Sequence, residues 1–324
     1  MNLTRIQACA SASVTLALAT ATNNVLAHEY PTRPITVVIP QPAGSASDNV
    51  MRPIAQALGA QLGQPVVIEN RPGAAGLIGM SYAARAKPDG YTLVVISNTT
   101  MAANPSLFKK LPYDPKKDFT PIALMGRTSM MFVVRSDFPA KSLEEFVTAA
   151  KQRKDGLSAG YGNSTAQVAL NMLTTAGGFK VNPVPYQGTP KLMVDLIGGM
   201  IDMAVVDVGS GVVQARSGKV KPLAIAASRR LHASGNIPTM AEKYPGVAMD
   251  TWIALAAPAG TPQDLVDKLY QGVSTAAKSQ DVRNAFSVVA IDQASATPNE
   301  LADIIKEDQR KWPEMIRAAG IEPE

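Results

Sequence analysis

Apolar positions along this chain alternate between two textures. Short runs rich in Val, Ile and Leu predict strands at Ile35–Ile39, Val66–Glu69, Thr92–Ile96, Met131–Arg135, Leu157–Gly160, Asn182–Pro185, Met203–Val206, Pro222–Ala226 and Ile253–Ala256. Between them, apolar residues recur every three or four positions, as on one face of a helix. Helix starts are marked locally. Ser142-Leu143-Glu144-Glu145 predicts a capping box, Thr261-Pro262 a proline at the first helical position, and Thr297-Pro298-Asn299-Glu300 both. Strand–helix alternation of this kind predicts an α/β fold with mostly parallel sheets flanked by helices.

Two interruptions divide the series. Leu111–Asp118 is rich in Pro, Lys and Asp, and a loop-like stretch runs from Arg229 to Gly246. Too little chain follows the second break to build another domain, so the C-terminal helices are expected to pack on one already formed. The predicted organisation is two lobes, the first from residues 28–127 plus about 250–324 and the second from 128–249. Such a pair leaves a cleft at the carboxyl ends of the strands, where open α/β sheets collect ligands.

Residues 1–27 read as a secretory signal peptide, with Arg5 ahead of a modest apolar run from Ala10 to Ala21 and a small-x-small ending at Val25-Leu26-Ala27. The expected location of the processed chain is therefore outside the cytoplasm. Cys9, inside this leader, is the chain's one cysteine, which excludes a disulfide framework, thiolate catalysis and zinc–thiolate sites from the processed chain. Net charge is +5, but Lys and Arg are scattered and aromatics make up only 5% of residues, so no nucleic-acid surface is predicted. The chain also lacks a G-x-S-x-G elbow, H-E-x-x-H and a P-loop lysine. No enzyme, cofactor or metal is expected.

The candidate chemistry lies in two turns. The strand Ile35–Ile39 opens into Pro40-Gln41-Pro42-Ala43-Gly44-Ser45, and the strand Val66–Glu69 into Asn70-Arg71-Pro72-Gly73-Ala74-Ala75-Gly76. Strand-to-helix turns of small residues present unpaired backbone N–H groups and the positive ends of helix dipoles, which suit an anion. Glycine and proline also serve such turns structurally. The spacing Gly73-x-x-Gly76-x-x-Gly79 is not the dinucleotide fingerprint.

Further phrases carry a resemblance. Pro40-x-Pro42-Ala43-Gly44-x-x-x-Asp48, Leu62-Gly63-Gln64-Pro65, Asn70-Arg71-Pro72-Gly73-Ala74, Pro88-Asp89-Gly90-Tyr91-Thr92-Leu93, Leu111-Pro112-Tyr113-Asp114-Pro115, Val184-Pro185-Tyr186-x-Gly188 and Ala257-Pro258-Ala259-Gly260-Thr261-Pro262 follow one another in order. Over nearly its whole processed length the chain resembles the Bug (TctC-like) periplasmic solute-binding receptors of tripartite tricarboxylate transport systems. The resemblance implies a two-lobed periplasmic-binding-protein (Venus flytrap) fold, monomeric, that closes over a small organic carboxylate, a di- or tricarboxylate or an aromatic acid, and hands it to membrane permease subunits. It further implies that backbone amides of Ala43, Gly44, Ser45, Ala74, Ala75 and Gly76 hold the carboxylate. Asn98 and Thr99 follow the third strand. The second lobe would add Gly162, Asn163, Ser164, Thr165, Tyr186, Gly188, Thr189 and Asp207. A ligand-presenting receptor for a sensor kinase, or a periplasmic enzyme acting on an organic acid, are the alternatives.

Three positions depart from the family pattern: Ser45 replaces a usual glycine, Ser164-Thr165 a Gly-Ser pair, and Val168 a frequent histidine. They are expected to retune ligand choice. Asp207 reads equally as a helix N-cap and as a group ordering water or accepting a ligand hydroxyl or ammonium. Tyr186 reads as a ligand contact or a half-buried structural tyrosine. Arg71 is expected to pair with Glu69, Trp252 and Trp312 to fill the core, and His232 to lie in a solvated loop.

Overall fold

The computed structural model describes residues 30–231 and 234–323, so the leader, Cys9 and His232 lie outside the described residues. Ten strands among the described residues form one hydrogen-bonded system: β1 Ile35–Ile39, β2 Val66–Asn70, β3 Thr92–Ser97, β4 Phe119–Arg135, β5 Leu157–Tyr161, β6 Val181–Pro185, β7 Met203–Asp207, β8 Val220–Ile225, β9 Asp250–Pro258 and β10 Asp292–Gln293. Their order is β2-β1-β3-β9-β4-β7-β5-β6, with β8 and β10 also paired to β4. Among the described residues, eleven α-helices accompany them: α1 Ala46–Leu62, α2 Leu77–Ala84, α3 Asn104–Leu107, α4 Leu143–Gln152, α5 Ser164–Gly177, α6 Thr189–Ile197, α7 Val208–Arg216, α8 Met240–Lys243, α9 Gln263–Ala277, α10 Gln280–Val288 and α11 Pro298–Ala318.

The outer strands are parallel, β2 with β1 and β1 with β3 at one end, and β7 with β5 and β5 with β6 at the other. The middle is antiparallel, and β4 is common to both ends. Phe119–Ser129 pairs with β9, while from Met130 onward the same strand pairs with β7, and from Met131 with β8. The change of partner between Ser129 and Met130 is fastened by Ser129 Oγ, which donates to the Met249 carbonyl at 2.9 Å.

Each end has its own apolar packing. Val38, Met80, Val94, Ile96, Trp252 and Leu301 cluster beside the first set of strands. Phe132, Phe138, Phe146, Leu170, Met203 and Trp312 cluster beside the second, and Met131, Leu192, Val206 and Ile225 on its other face. Helix α11 serves both, with Leu301 and Ile305 in the first cluster and Trp312 and Ile316 in the second. Both tryptophans are 2% exposed, as core residues should be. Val168 is a core residue as well, packed among Ala166, Leu170 and Leu173.

All nine expected strands are present, and the largest difference is β4. Its first half, Phe119–Met130, carries Pro121, Gly126 and Arg127, which break the expected alternation; two register shifts against β9 absorb that irregularity. Local caps also differ in detail. Thr297 forms a full capping box with Glu300. Ser142 accepts from the Glu145 N–H, but the Glu145 carboxylate reaches the Lys141 N–H instead of returning to the cap residue. Pro262 is the N-cap of α9 and not its first helical residue.

Candidate ligand-binding cleft

The first turn is organised by Asp48, one of the chain's most buried carboxylates. Ser45 caps α1, its hydroxyl accepting the Asp48 N–H. The Asp48 carboxylate in return accepts the Gly44 N–H at 2.9 Å, Arg52 Nε at 2.8 Å and Asn70 Nδ2 at 3.0 Å. Burial alone would raise its pKa, but Arg52, the Gly44 amide and Asn70 together outweigh burial and hold it below the ordinary carboxylate value. Arg52 also donates to Asn70, so the first turn, α1 and the end of β2 are tied into one unit.

The second turn is built from four consecutive residues at positive φ: Gly73 at 125°, Ala74 at 45°, Ala75 at 52° and Gly76 at 91°. Alanine resists this region, so the left-handed turn is a strained backbone held by its surroundings. Part of that support is the Ala75 carbonyl accepting Asn104 Nδ2 at 3.0 Å. Close approach explains Gly79: a Cβ there would sit 2.8 Å from Pro40 Cα and 2.9 Å from the Arg71 carbonyl. Arg71 itself pairs with Glu69 at 2.6 Å and lies 3.6 Å over the Tyr82 ring. Both arginines beside the turns are thus engaged within the protein.

Between the two ends of the strand system is a cavity of ≈ 60 Å³, lined on one side by Gln41, Ser45, Ala46, Ser47, Asn98 and Thr99, and on the other by Gly162, Asn163, Thr165, Gly188, Thr189 and Asp207. Thr128, Met130, Thr251 and Trp252 complete it from the crossing strands β4 and β9. Four of the lining residues, Ser45, Asn163, Gly188 and Asp207, are the N-caps of α1, α5, α6 and α7. Four helix N-termini therefore converge on one space, and among the described residues its lining holds no Lys, Arg or His. Where α1 begins, Ala46 and Ser47 occupy the first two helical positions, whose N–H groups have no partner within a helix.

The sequence-predicted residues separate into groups. Ser45, Asn98, Thr99, Gly162, Asn163, Thr165, Gly188, Thr189 and Asp207 line this cavity. Ala74, Ala75, Gly76 and Tyr186 line an adjoining one of ≈ 260 Å³ that shares Gln41, Pro42 and Gly162 with it. Ala43 and Gly44 instead face an outer groove beside Pro190 and Val194, and the Gly44 amide is consumed by Asp48. The Ser45 amide is likewise taken, donating to the Pro42 carbonyl at 3.2 Å. The available amides of the first turn thus lie later, at Ala46 and Ser47. Ser164 donates to Asn104 Oδ1 at 2.7 Å and is buried away from all three spaces.

Two other predicted residues are held by protein partners. Tyr186 donates its hydroxyl to Asp195 at 2.9 Å, and burial followed by that carboxylate raises its pKa. Asp207 caps α7, accepting the Ser210 N–H at 2.9 Å on one oxygen and the Thr189 and Ser210 hydroxyls on the other. Asp207 is therefore an N-cap, one of its two sequence readings, and the same carboxylate lines the cavity. Thr99 and Thr165 share a 2.8 Å hydroxyl–hydroxyl bond across the cleft.

Sequence reasoning passed over Thr128, Thr251 and Asp308. Asp308 on α11 accepts Asn98 Nδ2 and Trp252 Nε1, fixing two lining residues from behind. Nothing local marks these positions, because the crossing of β4 and β9 that brings them here is a tertiary event.

Residues 50–321 match the model of the tripartite tricarboxylate transporter family receptor, TctC. The chain belongs to this family. Among solved structures, periplasmic binding protein BugD is 32% identical, with 91% of this chain and 100% of that one covered at a TM-score of 0.86. An R. palustris protein solved with adipate is 28% identical over 91% of this chain and 100% of its own, at a TM-score of 0.88. MatC from Rhodopseudomonas palustris, with bound malate, is 34% identical over 89% and 100%, at 0.82. The TctC chain described here thus has the periplasmic-binding-protein fold, and its family is one of solute-binding receptors.

Proposed function

We propose that this TctC receptor captures a small carboxylate in the cavity between two lobes, 28–127 plus 250–324 and 128–249, and delivers it from the periplasm to the membrane subunits of a tripartite tricarboxylate transporter. The observation that carries the reading is the convergence of the α1, α5 and α6 N-termini, none of them capped by a carboxylate, on a cavity whose lining among the described residues holds no cationic side chain. Dipole ends and main-chain amides attract an anion without fixing it in a strong ion pair, which suits a site that must release its cargo. Two related proteins of the same fold were solved with adipate and with malate, which supports the reading.

Opening follows from the strand that changes partners at Ser129 and Met130 and from the return of the chain into β9 at Asp250. Rotation about these crossings separates Thr99 from Thr165, and a bound acid that touches both sides favours the closed form. No reactive group is required, so the acid leaves unchanged.

The test is a thermal-shift screen of malate, succinate, adipate, phthalate and aspartate, followed by calorimetry and recovery of the acid. A ligand of the native state raises the melting point by mass action. The expected result is a raised midpoint with at least one acid and its quantitative recovery. No shift with any acid, or conversion of one, overturns the proposal.

A further inference from the structure

We infer that Thr128 and Thr251 form a ligand-reading pair of hydroxyls on the cavity floor, binding a second oxygen function of the captured acid, remote from the carboxylate at the helix N-termini. The inference rests on the receptor reading above and narrows its ligand to acids with two oxygen-bearing ends, such as dicarboxylates.

The two threonines are register partners, Thr128 on β4 opposite Thr251 on β9, so their side chains stand together on one face of the sheet. Each is 4% exposed, and both line the cavity. Among the described residues, these are the buried hydroxyls that have no hydrogen-bond partner in the protein. A buried hydroxyl is normally satisfied, and an orphan costs stability that a functional partner can recover. Other hydroxyls nearby obey the rule: Ser129 donates to Met249, Thr99 bonds Thr165, and Thr189 bonds Asp207. The Gln41 Oε1 atom, also lining this cavity, is a third buried polar atom without a partner.

Position explains what the pair reads. Thr128 and Met130 alternate onto the same face of β4, and Met130 is paired with Asp207 of β7. The floor therefore runs Thr251, Thr128, Met130, Asp207, with free hydroxyls at one end and an already bonded carboxylate at the other. Asp207 repels an anionic group placed beside it. The neutral hydroxyl pair accommodates one, because each Thr hydroxyl can donate to a carboxylate oxygen. A purely apolar tail would leave both hydroxyls unpaired, which selects against monocarboxylates.

Calorimetry with matched pairs tests this: succinate against butyrate, adipate against hexanoate, and phthalate against benzoate. For the wild type, the diacid of at least one pair is expected to bind tenfold or more tightly than its monoacid. In the double variant Thr128→Val/Thr251→Val that diacid should lose about tenfold or more in affinity. The melting point of the unliganded variant should be equal or higher, because an unpaired hydroxyl has been removed, whereas a structural role would lower it. The serine variants Thr128→Ser and Thr251→Ser, which keep the hydroxyls, should retain affinity. A double variant that fails to fold, unchanged diacid affinity, or a wild type that binds monoacids equally well overturns the inference and leaves the receptor reading standing. If no acid of either kind binds, both fall.

Discussion

Asp308, on the C-terminal helix, accepts the indole N–H of Trp252 at 2.7 Å and the side-chain amide of Asn98 at 2.5 Å on the same carboxylate oxygen. Asn98 in turn accepts the Trp252 main-chain N–H at 2.7 Å. Asp308, 56 positions from Trp252 and 210 from Asn98 in the chain, thereby fixes the wall of the cavity through one atom. Replacing Asp308 by alanine leaves two buried donors unpaired and should cost about 2 kcal/mol or more in urea unfolding. Asp308→Asn keeps an acceptor oxygen in place and should cost clearly less.

The same carboxylate sets a pH signature. Burial raises the Asp308 pKa above 3.8, against the opposing pull of Trp252, Lys311, Asn98 and Arg127. A carboxyl with a raised pKa stabilises the fold most when protonated, and that contribution is lost as pH rises through the folded-state value. Melting points of the wild type relative to Asp308→Asn should therefore decline from below pH 3.8 upward and then level off. A difference independent of pH would refute it.

Asp48 predicts the opposite sign. Its pKa is lowered from 3.8, so its contribution is complete above that value and disappears as pH falls through the lower folded-state value. Asp48→Asn should destabilise by about 1 kcal/mol near neutrality, discounted because Arg52 is half exposed, and by progressively less in acid. The variant also loosens the Gly44 turn, so carboxylate affinity should fall with stability. Unfolding curves at neutral and strongly acid pH, with calorimetry alongside, measure both effects.

How much of this was legible in sequence depends on how local the determinant is. Strand and cap signals such as Val66–Glu69 and Thr297–Glu300 depend on neighbours in the chain, and they reappear within a residue. The glycine turns were visible as turns, but which amides are free was not. Gly44 and Ser45 spend theirs on Asp48 and Pro42, which moves the unpaired donors to Ala46 and Ser47. Thr128 and Thr251 sit in sequence that reads as irregular, and only the pairing of β4 with β9 makes them neighbours. Asp308 looks like any polar residue of an amphipathic helix until Trp252 is placed beneath it.

Strain in the second turn is directly testable. Ala75 is held at φ 52°, where an L side chain is disfavoured and glycine is not. Ala75→Gly should stabilise the protein by about 0.5 kcal/mol, the relief of strain being partly offset by the added freedom of the unfolded chain. Ala75→Val, with a branched side chain at the same φ, should destabilise by about 1–2 kcal/mol. Opposite signs for the two variants, read from chemical denaturation, would identify the backbone and not the lost methyl as the cause.

Gly188 separates closure from folding. It caps α6 with φ 153°, and a Cβ there would lie 2.6 Å from Pro42 Cγ, on the opposite side of the cleft. Contacts below 3 Å are repulsive, so alanine must push the first turn and α6 apart. Within its own side of the cleft, Gly188 also packs closely on Gly162, whose Cβ position is 2.8 Å from the Gly188 carbonyl carbon. Gly188→Ala should therefore leave circular dichroism essentially native, weaken carboxylate binding tenfold or more, and leave the liganded protein more extended in solution scattering. If the variant binds and compacts like the wild type, then Pro42 and Gly188 do not meet in the ligand-bound form, and the cleft closes by another route.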